Sequence, residues 1–352
     1  MAIQQLLEYA VQHNASDLHL TTRRPPMLRI IGELVPVEGQ AELTPNSISE
    51  LLLPLLNQHR QQTLDTVGQV DFSHGVSDLG RFRVNVFRQR GSMAAVLRLI
   101  PTKIPPLDSL GIPEVVRGFA EKSKGLVLVT GPTGHGKTTT LAALIDVINM
   151  SRSCHIITLE DPIEYLHRHN RSIINQREIG TDTDSFANGL RAALREDPDV
   201  ILVGEMRDLE TIQTALTAAE TGHLVLATLH TNDAVQTVDR IIDVFPPHQQ
   251  TQIRMQLALT LQAIVAQQLI PRCDIAGRVV ATEILIATPA VRNIIREGKT
   301  HQLPTVLQTG GRLGMHTMDS SLKNLYQRRF ITIQEAILRA GDQEEFKKSV
   351  GM

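Results

Sequence analysis

The sequence of 352 residues contains no tryptophan, and aromatic residues make up only 3% of it. Any buried core must therefore be built from aliphatic side chains. There are two cysteines, Cys154 and Cys273, and neither has a neighbour at the spacing of a zinc motif. We expect both to be reduced thiols in a cytoplasmic protein.

Long apolar runs and a strong net charge are also missing. No stretch approaches the length needed to span a bilayer, and Met1-Ala2-Ile3-Gln4-Gln5 lacks the basic-then-apolar order of a signal peptide. The net charge of −2 gives no general attraction to nucleic acid. The composition therefore predicts a soluble protein without a nucleic-acid partner.

The length favours two domains. Residues 1–100 mix short helical and alternating segments, which predicts a small α+β domain; its expected strands are 17–20, 27–31, 71–73, 81–87 and 94–100. The segment 101–106 contains tandem prolines, which favour an extended linker.

The second domain is expected over 107–352. Its predicted strands are 126–130, 155–159, 200–203 and 224–229. Its predicted helices are 137–149, 185–196, 208–221 and 248–269, with a polar helical region from about residue 288. Such alternation indicates a mostly parallel sheet of the α/β class.

The segment Gly131-Pro132-Thr133-Gly134-His135-Gly136-Lys137-Thr138 matches the phosphate-binding loop G-x-x-x-x-G-K-[ST] at every fixed position. It lies between an apolar strand and a helix, the context in which backbone N–H groups surround phosphate oxygens. Lys137 can reach the β- and γ-phosphates, and the Thr138 hydroxyl can bind Mg²⁺. We predict nucleoside triphosphate binding by Gly131, Pro132, Thr133, Gly134, His135, Gly136, Lys137, Thr138 and Thr139.

Polar side chains follow the other predicted strands, at the edge where open α/β sheets bind ligands. Glu205 is placed to hold Mg²⁺, partly through water, and Glu164 to activate the attacking water. His230 is placed to contact the γ-phosphate. The alternatives are an acid beside a helix N-cap for Glu205, a surface-loop acid for Glu164 and a structural histidine for His230.

Phosphoryl transfer also needs positive charge, and two arginine pairs are candidates. Arg191 and Arg195 are four residues apart on a predicted helix, opposite its apolar face. Arg81 and Arg83 alternate with apolar residues on a predicted strand, so they share one face. Either pair could instead be a solvated surface.

Three further segments resemble those of bacterial type II/IV secretion ATPases. Residues 157–164 are similar to their Asp box, 190–208 to their Walker B segment and 221–232 to their His box. Residues 15–20, 290–299 and 314–319 are similar to motifs of the type IV pilus retraction ATPases in that superfamily. Two cysteines cannot form the four-cysteine zinc insertion usual in the assembly ATPases.

The resemblance implies a PAS-like α+β N-terminal domain, a RecA-like P-loop NTPase domain and a homohexamer that binds ATP and Mg²⁺. It implies that Glu164 is the catalytic base, Glu205 the Walker B acid and His230 a phosphate contact, with Arg81, Arg83, Arg191 and Arg195 near the nucleotide. The motor would act at the cytoplasmic face of the inner membrane, on a platform protein of the pilus machine, with peripheral membrane association through that machine. Residues 292–299 would serve retraction rather than hydrolysis.

The sequence departs from the family pattern at several positions. His135 replaces the usual serine in the phosphate loop, Val291 and Ile294 replace other aliphatic residues, and His316 replaces a common glutamine. The leading hypothesis is a motor that depolymerises pili. The alternatives are an accessory retraction ATPase, a RecA-like nucleic-acid motor and a non-enzymatic scaffold, of which the last would need a degraded site.

Overall fold

A computed structural model describes residues 1–30, 32–76, 79–100 and 103–351. Two compact units are formed, one by Met1–Lys103 with Pro162–Leu166 and the other by Ile104–Asp161 with His167–Met352. None of the helices in this described part of the chain is both long and apolar enough to cross a bilayer. The predicted linker at 101–106 and the turn predicted at 77–80 lie partly outside the described residues.

The N-terminal unit contains an antiparallel sheet. Its strands are β1 (Asp17–Leu20), β2 (Met27–Ile30), β3 (Glu33–Pro36), β4 (Gln69–Val76), β5 (Gly80–Gln89) and β6 (Ser92–Ile100). They pair in the order β3-β2-β1-β6-β5-β4. Among the described residues of this α+β unit, the α-helices are α1 (Ile3–Gln12), α2 (Pro45–Leu52) and α3 (Gln58–Val67). Its core is aliphatic apart from Phe72 and Phe82, as the composition predicts.

The second unit is built on a seven-stranded sheet. The strands are β7 (Gly125–Thr130), β8 (His155–Glu160), β9 (Ile173–Glu178), β10 (Val200–Val203), β11 (Leu224–Leu229), β12 (Leu261–Pro271) and β13 (Arg278–Ile286). Their order is β13-β12-β7-β11-β10-β8-β9, and only the β12–β13 pairing of this sheet is antiparallel. Every residue of β7 is buried, because a parallel strand in the middle of a sheet is covered on both faces.

The helices of this unit pack on both faces of the sheet and at its end. They are α4 (Lys137–Ser151), α5 (Phe186–Ala193), α6 (Leu209–Glu220), α7 (Ala234–Asp243), α8 (Pro247–Thr260), α9 (Pro289–Glu297), α10 (Leu303–Thr309), α11 (Met318–Gln327), α12 (Ile333–Arg339) and α13 (Gln343–Ser349). One apolar cluster lies on each face, and a third joins the last helices to Ile270 and Ala281. The predicted helical character from residue 288 is observed.

One predicted helix is wrong over its last nine residues, 261–269. The expected helix 248–269 ends at Thr260, and Leu261–Pro271 is the strand β12. The segment Leu261-Gln262-Ala263-Ile264-Val265-Ala266 is an apolar run, in which helix and buried strand have the same pattern. Pairing with β7 on one side and β13 on the other decides in favour of the strand.

Candidate nucleotide site

The phosphate-binding loop connects the end of β7 at Thr130 to the start of α4 at Lys137. Gly136 is the N-cap of α4 and has a φ of 84°, a left-handed conformation that a side chain would strain. The loop therefore turns directly into the helix, and the first N–H groups of α4 have no carbonyl partner within the helix. The N-terminus of this 15-residue helix is therefore a favourable place to bind an anion.

The Lys137 side chain folds back over the loop. Its Nζ atom donates to the carbonyl oxygens of Gly131 at 2.7 Å and Pro132 at 3.0 Å, and the residue is only 8% exposed. Its ammonium group is therefore held beside the loop backbone, close to the position in which a phosphate would be bound.

The His230 side chain bridges this loop and a strand-end acid. Its Nδ1 atom lies 3.4 Å from Lys137 Nζ and 3.4 Å from Thr133 Oγ1, and its Nε2 atom lies 3.0 Å from Glu205 Oε1. Because an ammonium group can only donate, we assign Nδ1 as the acceptor and Nε2–H as the donor to the Glu205 carboxylate. The loop, His230 and Glu205 thus form one connected network.

Glu205 is positioned by the backbone around it. Gly204 N donates to Leu159 O at 2.7 Å, and Met206 N donates to Thr228 O at 3.1 Å, so β8 and β11 fix both sides of the residue. Its carboxylate accepts hydrogen bonds from Arg207 and His230. Burial alone would raise the pKa of Glu205, but these two partners outweigh burial and hold the pKa below its usual range. Glu205 is therefore a carboxylate at neutral pH.

Three predicted site residues belong to the other compact unit. Glu164 lies in Pro162–Leu166, which packs with the N-terminal unit, and Arg81 and Arg83 lie on β5. As predicted, these two arginines share the face of β5 opposite the buried Phe82 and Val84. Arg83 is exposed and Arg81 is half-buried. Their proposed roles at the nucleotide stay predictions.

The arginines near α5 do not share a helix as expected. The helix ends at Ala193, so only Arg191 is helical, and Arg195 follows its C-terminal turn. Asp197 has a φ of 52° and precedes Pro198, a combination that ends the helix early. Arg191 pairs with Glu210 at the start of α6, and both side chains are about half exposed. Arg195 is exposed.

Several residues that support this site were not predicted as site residues. Arg207 lies within the Walker B-like segment, where its closeness to Glu205 could have suggested the pair. Gln267 contacts the phosphate loop from β12. Its polar side chain inside an apolar run was a usable signal, but the sequence pattern had favoured a helix there.

Glu283 on β13 is a third unpredicted residue, and its carboxylate forms hydrogen bonds with the N-termini of two helices. Its Oε1 atom accepts from Ala234 N at 2.8 Å, at the beginning of α7 directly after the His230 segment. Its Oε2 atom accepts from Met318 N at 3.2 Å, at the beginning of α11. Burial, the largest effect, and the nearby Asp233 and Asp319 raise the pKa of Glu283 despite these hydrogen bonds.

The retraction-like segment 290–299 forms α9 and the turn after it. Val291 and Ile294 are buried, so the aliphatic replacements keep the apolar face. Arg292 turns inward and donates to Ala258 O at 2.5 Å, Leu259 O at 2.7 Å and Ala287 O at 3.0 Å. Arg296 and Lys299 are exposed.

Comparison with known proteins shows to which family this chain belongs. The type II/IV secretion system protein family matches residues 1–338. The chain belongs to that family, and it is an ATPase with a RecA-like nucleotide-binding domain after a PAS-like α+β domain, as predicted.

Individual relatives are similar over nearly the whole chain. The type IV pilus retractation ATPase PilT of Pseudomonas aeruginosa is 46% identical over 346 residues, which cover 98% of this chain and 100% of PilT. A twitching motility protein of Neisseria gonorrhoeae is 49% identical, over 91% of this chain and 85% of its own length. The crystal structure of the pilus retraction motor PilT with bound ADP has a TM-score of 0.92 and 49% identity, and 99% of each chain is covered. The predicted resemblance to the retraction ATPases is confirmed.

Proposed function

We propose that this chain is the motor that retracts type IV pili, using ATP hydrolysis to remove pilin subunits and so to power twitching motility. The observation that carries the proposal is the whole-length similarity to PilT, which includes both compact units and the α9 segment. The connected network of Lys137, His230 and Glu205 supports it, because a scaffold that no longer hydrolysed ATP would not need to keep this network intact.

Mg²⁺ is part of the proposed cofactor. The Glu205 carboxylate is ionised and lies in the network with the phosphate loop, and the Thr138 hydroxyl lies in the first turn of α4. These oxygen donors fit Mg²⁺, with Glu205 acting partly through water. When bound with ATP, the ion neutralises developing charge on the phosphates.

The proposed roles of the remaining residues follow from their chemistry. Glu164 orients and deprotonates the attacking water. Lys137 and His230 contact the terminal phosphates, and His230 passes the presence of the γ-phosphate on to the segment before α7. Arg81, Arg83, Arg191 and Arg195 supply positive charge to the nucleotide.

We further propose that the motor is a homohexamer at the cytoplasmic face of the inner membrane. It would turn cycles of domain closure into movement of the pilus platform protein. The exposed Arg296 and Lys299 would serve this coupling and not hydrolysis. The alternative of an accessory retraction ATPase predicts activity only together with a second motor.

Deletion of the gene tests the retraction role. We expect more surface pili and no twitching motility, counted by electron microscopy and measured by spreading on agar. Complementation with the wild-type gene should restore both, and complementation with Lys137→Gln should not. Fewer pili after deletion would show an assembly motor and contradict the proposal.

The assignment of the catalytic base is tested separately with purified protein. Glu164→Gln is expected to lower ATPase turnover by about a hundredfold or more, the usual contribution of a general base. Arg296→Ala should keep wild-type turnover and lose motility. Full activity of Glu164→Gln would refute the assignment of Glu164 as the catalytic base. Equal loss of ATPase activity and motility in Arg296→Ala would refute the coupling role of Arg296.

A further inference from the structure

Strand β12 runs past the end of its neighbour β7 and alongside the phosphate-binding loop. The two strands pair until Ala266 meets Thr130, the last residue of β7. From there β7 turns into the loop while β12 continues to Pro271. Residues 267–269 therefore lie against the loop at the point where it leaves the sheet.

The side-chain amide of Gln267 forms hydrogen bonds both to the phosphate-binding loop and to the helix α4 that follows it. Its Oε1 atom accepts from Thr140 Oγ1 at 2.9 Å, in the first turns of α4, and its Nε2 atom donates to His135 O at 2.7 Å. Gln267 is 1% exposed and Thr140 is 2% exposed. A buried hydrogen bond of this kind has no competition from water, so the amide fixes the position of the loop relative to α4.

His135 adds a second link to the same strand. Its Nδ1 atom accepts from Leu269 N at 3.0 Å, two residues along β12 from Gln267. The histidine that replaces the usual serine therefore ties the loop to β12 through its side chain as well as through its carbonyl.

The glycines of the loop are explained by the same contact. A Cβ atom on Gly131 would lie 2.2 Å from Gln267 O, and one on Gly136 would lie 3.2 Å from Gln267 Nε2. The first distance is far below van der Waals contact, so any side chain at residue 131 would push the loop away from β12. The loop and Gln267 are thus packed against each other without spare room.

We propose that Gln267 is a positioning residue for nucleotide binding, and that its amide holds the phosphate-binding loop in the shape that receives the phosphates. The residue acts through the loop backbone and does not itself touch the nucleotide. Gln267→Glu is the sharpest test because glutamate has nearly the same shape. It can still accept from Thr140, but it places an acceptor oxygen against the His135 carbonyl in place of the donor.

The experiment measures the Kd of ADP for the full-length chain. Gln267→Glu is expected to weaken ADP binding by about tenfold or more, the effect of losing one buried hydrogen bond and facing two acceptors. Gln267→Met, which loses both hydrogen bonds without adding charge, should weaken ADP binding by a smaller factor. Gln268→Glu is the matched control: it adds the same charge one residue along, on the opposite face of β12.

Melting of each variant without nucleotide separates positioning from folding. A merely structural Gln267 would lower the melting temperature and leave the Kd of the folded protein unchanged. The proposal is overturned if Gln267→Glu and Gln268→Glu bind ADP equally, or if folded Gln267→Met binds ADP as tightly as wild type. If Gln267→Glu fails to fold, the Kd of ADP for Gln267→Met tests the proposal by itself.

Discussion

At the scale of single residues, the two ring nitrogens of His230 do different work. Nδ1 is the acceptor that faces the Lys137 ammonium group and the Thr133 hydroxyl, while Nε2–H donates to the Glu205 carboxylate. The imidazole therefore links Lys137 and Thr133 to the strand-end acid by hydrogen bonds only when its proton is on Nε2. Replacements that copy one nitrogen and not the other distinguish these contacts.

His230→Gln should keep more ATPase activity than His230→Asn. The terminal amide of glutamine reaches the position of Nε2 and can donate to Glu205, whereas that of asparagine reaches only the position of Nδ1. We expect Asn to lower turnover by about tenfold relative to Gln, because a hydrogen bond to a charged group is lost. Steady-state ATPase assays at saturating ATP measure this ratio. Equal activities, or a more active Asn variant, would contradict the assigned proton position.

The residues of this network show what a sequence can and cannot reveal. His230 and Glu205 were predicted because both follow apolar strands whose carboxyl ends meet at one edge. Gln267 was not, because its partners Thr140 and His135 lie more than a hundred residues away in the sequence and only the pairing of β12 with β7 brings them together. A local pattern can mark Gln267 as unusual, but it does not say which distant residues its side chain contacts.

At the scale of elements, one arginine of α9 stabilises the end of another helix. Arg292 donates to the carbonyl oxygens of Ala258 and Leu259 in the last turn of α8. The last carbonyls of a helix have no partner within it, so the guanidinium satisfies groups that would otherwise be unpaired. The segment that we propose to serve retraction thus contains a structural residue beside its exposed ones.

Arg292→Ala should therefore destabilise the protein, unlike Arg296→Ala. We expect Arg292→Ala to lower the free energy of unfolding by about 1–3 kcal/mol, the effect of leaving half-buried acceptors unsatisfied. Arg296→Ala removes an exposed side chain and should change it by less than about 0.5 kcal/mol. Urea unfolding of both variants measures the difference. Equal stabilities would show that the α8 contacts contribute nothing.

Glu283 gives a second prediction about elements, since its carboxylate serves the starts of both α7 and α11. A glutamine at this position would have one acceptor oxygen and would turn its NH₂ group toward one of the two backbone N–H donors. We expect Glu283→Gln to lower the free energy of unfolding by about 1–3 kcal/mol, whereas Glu345→Gln, at an exposed position of α13, should not. Thermal melting compares the two variants. A stable Glu283→Gln would mean that one hydrogen bond suffices for both helices.

Element prediction succeeded where the hydrophobic period was distinctive. The strands at 126–130, 155–159, 200–203 and 224–229 and the helix from 137 were found within one or two residues. The helix predicted over 248–269 failed at Thr260, where an apolar run fits a buried strand equally well. No element was predicted over the residues of β13, so the antiparallel pair β12–β13 was missed, and with it the support beside the phosphate loop.

At the scale of the whole molecule, one half-buried histidine makes stability depend on pH. Burial lowers the pKa of His167 to about 4, from an ordinary value of 6.5. Between these two values the unfolded chain binds a proton that the folded chain does not. The free energy of unfolding therefore falls as the pH drops through this window.

Lowering the pH from 7 to 5 should accordingly remove about 2 kcal/mol of stability through this residue. In His167→Gln the loss on acidification should be smaller by about that amount, because glutamine does not titrate. His248→Gln, at an exposed position of α8, is the control and should respond to pH like wild type. Urea unfolding at both pH values gives the comparison. An unchanged pH response of His167→Gln would show that other groups dominate.

The central position of β7 has a mechanical consequence. This strand is bonded along its length to β11 on one edge and to β12 on the other, whereas β13 and β9 at the two ends of the sheet each have a ladder on one side only. A pull along β7 loads both ladders at once in shear, so many hydrogen bonds must break together. Tension on the outer strands meets a weaker resistance. The phosphate-binding loop is therefore anchored to a strand that is held on both edges and not to an edge strand of the sheet.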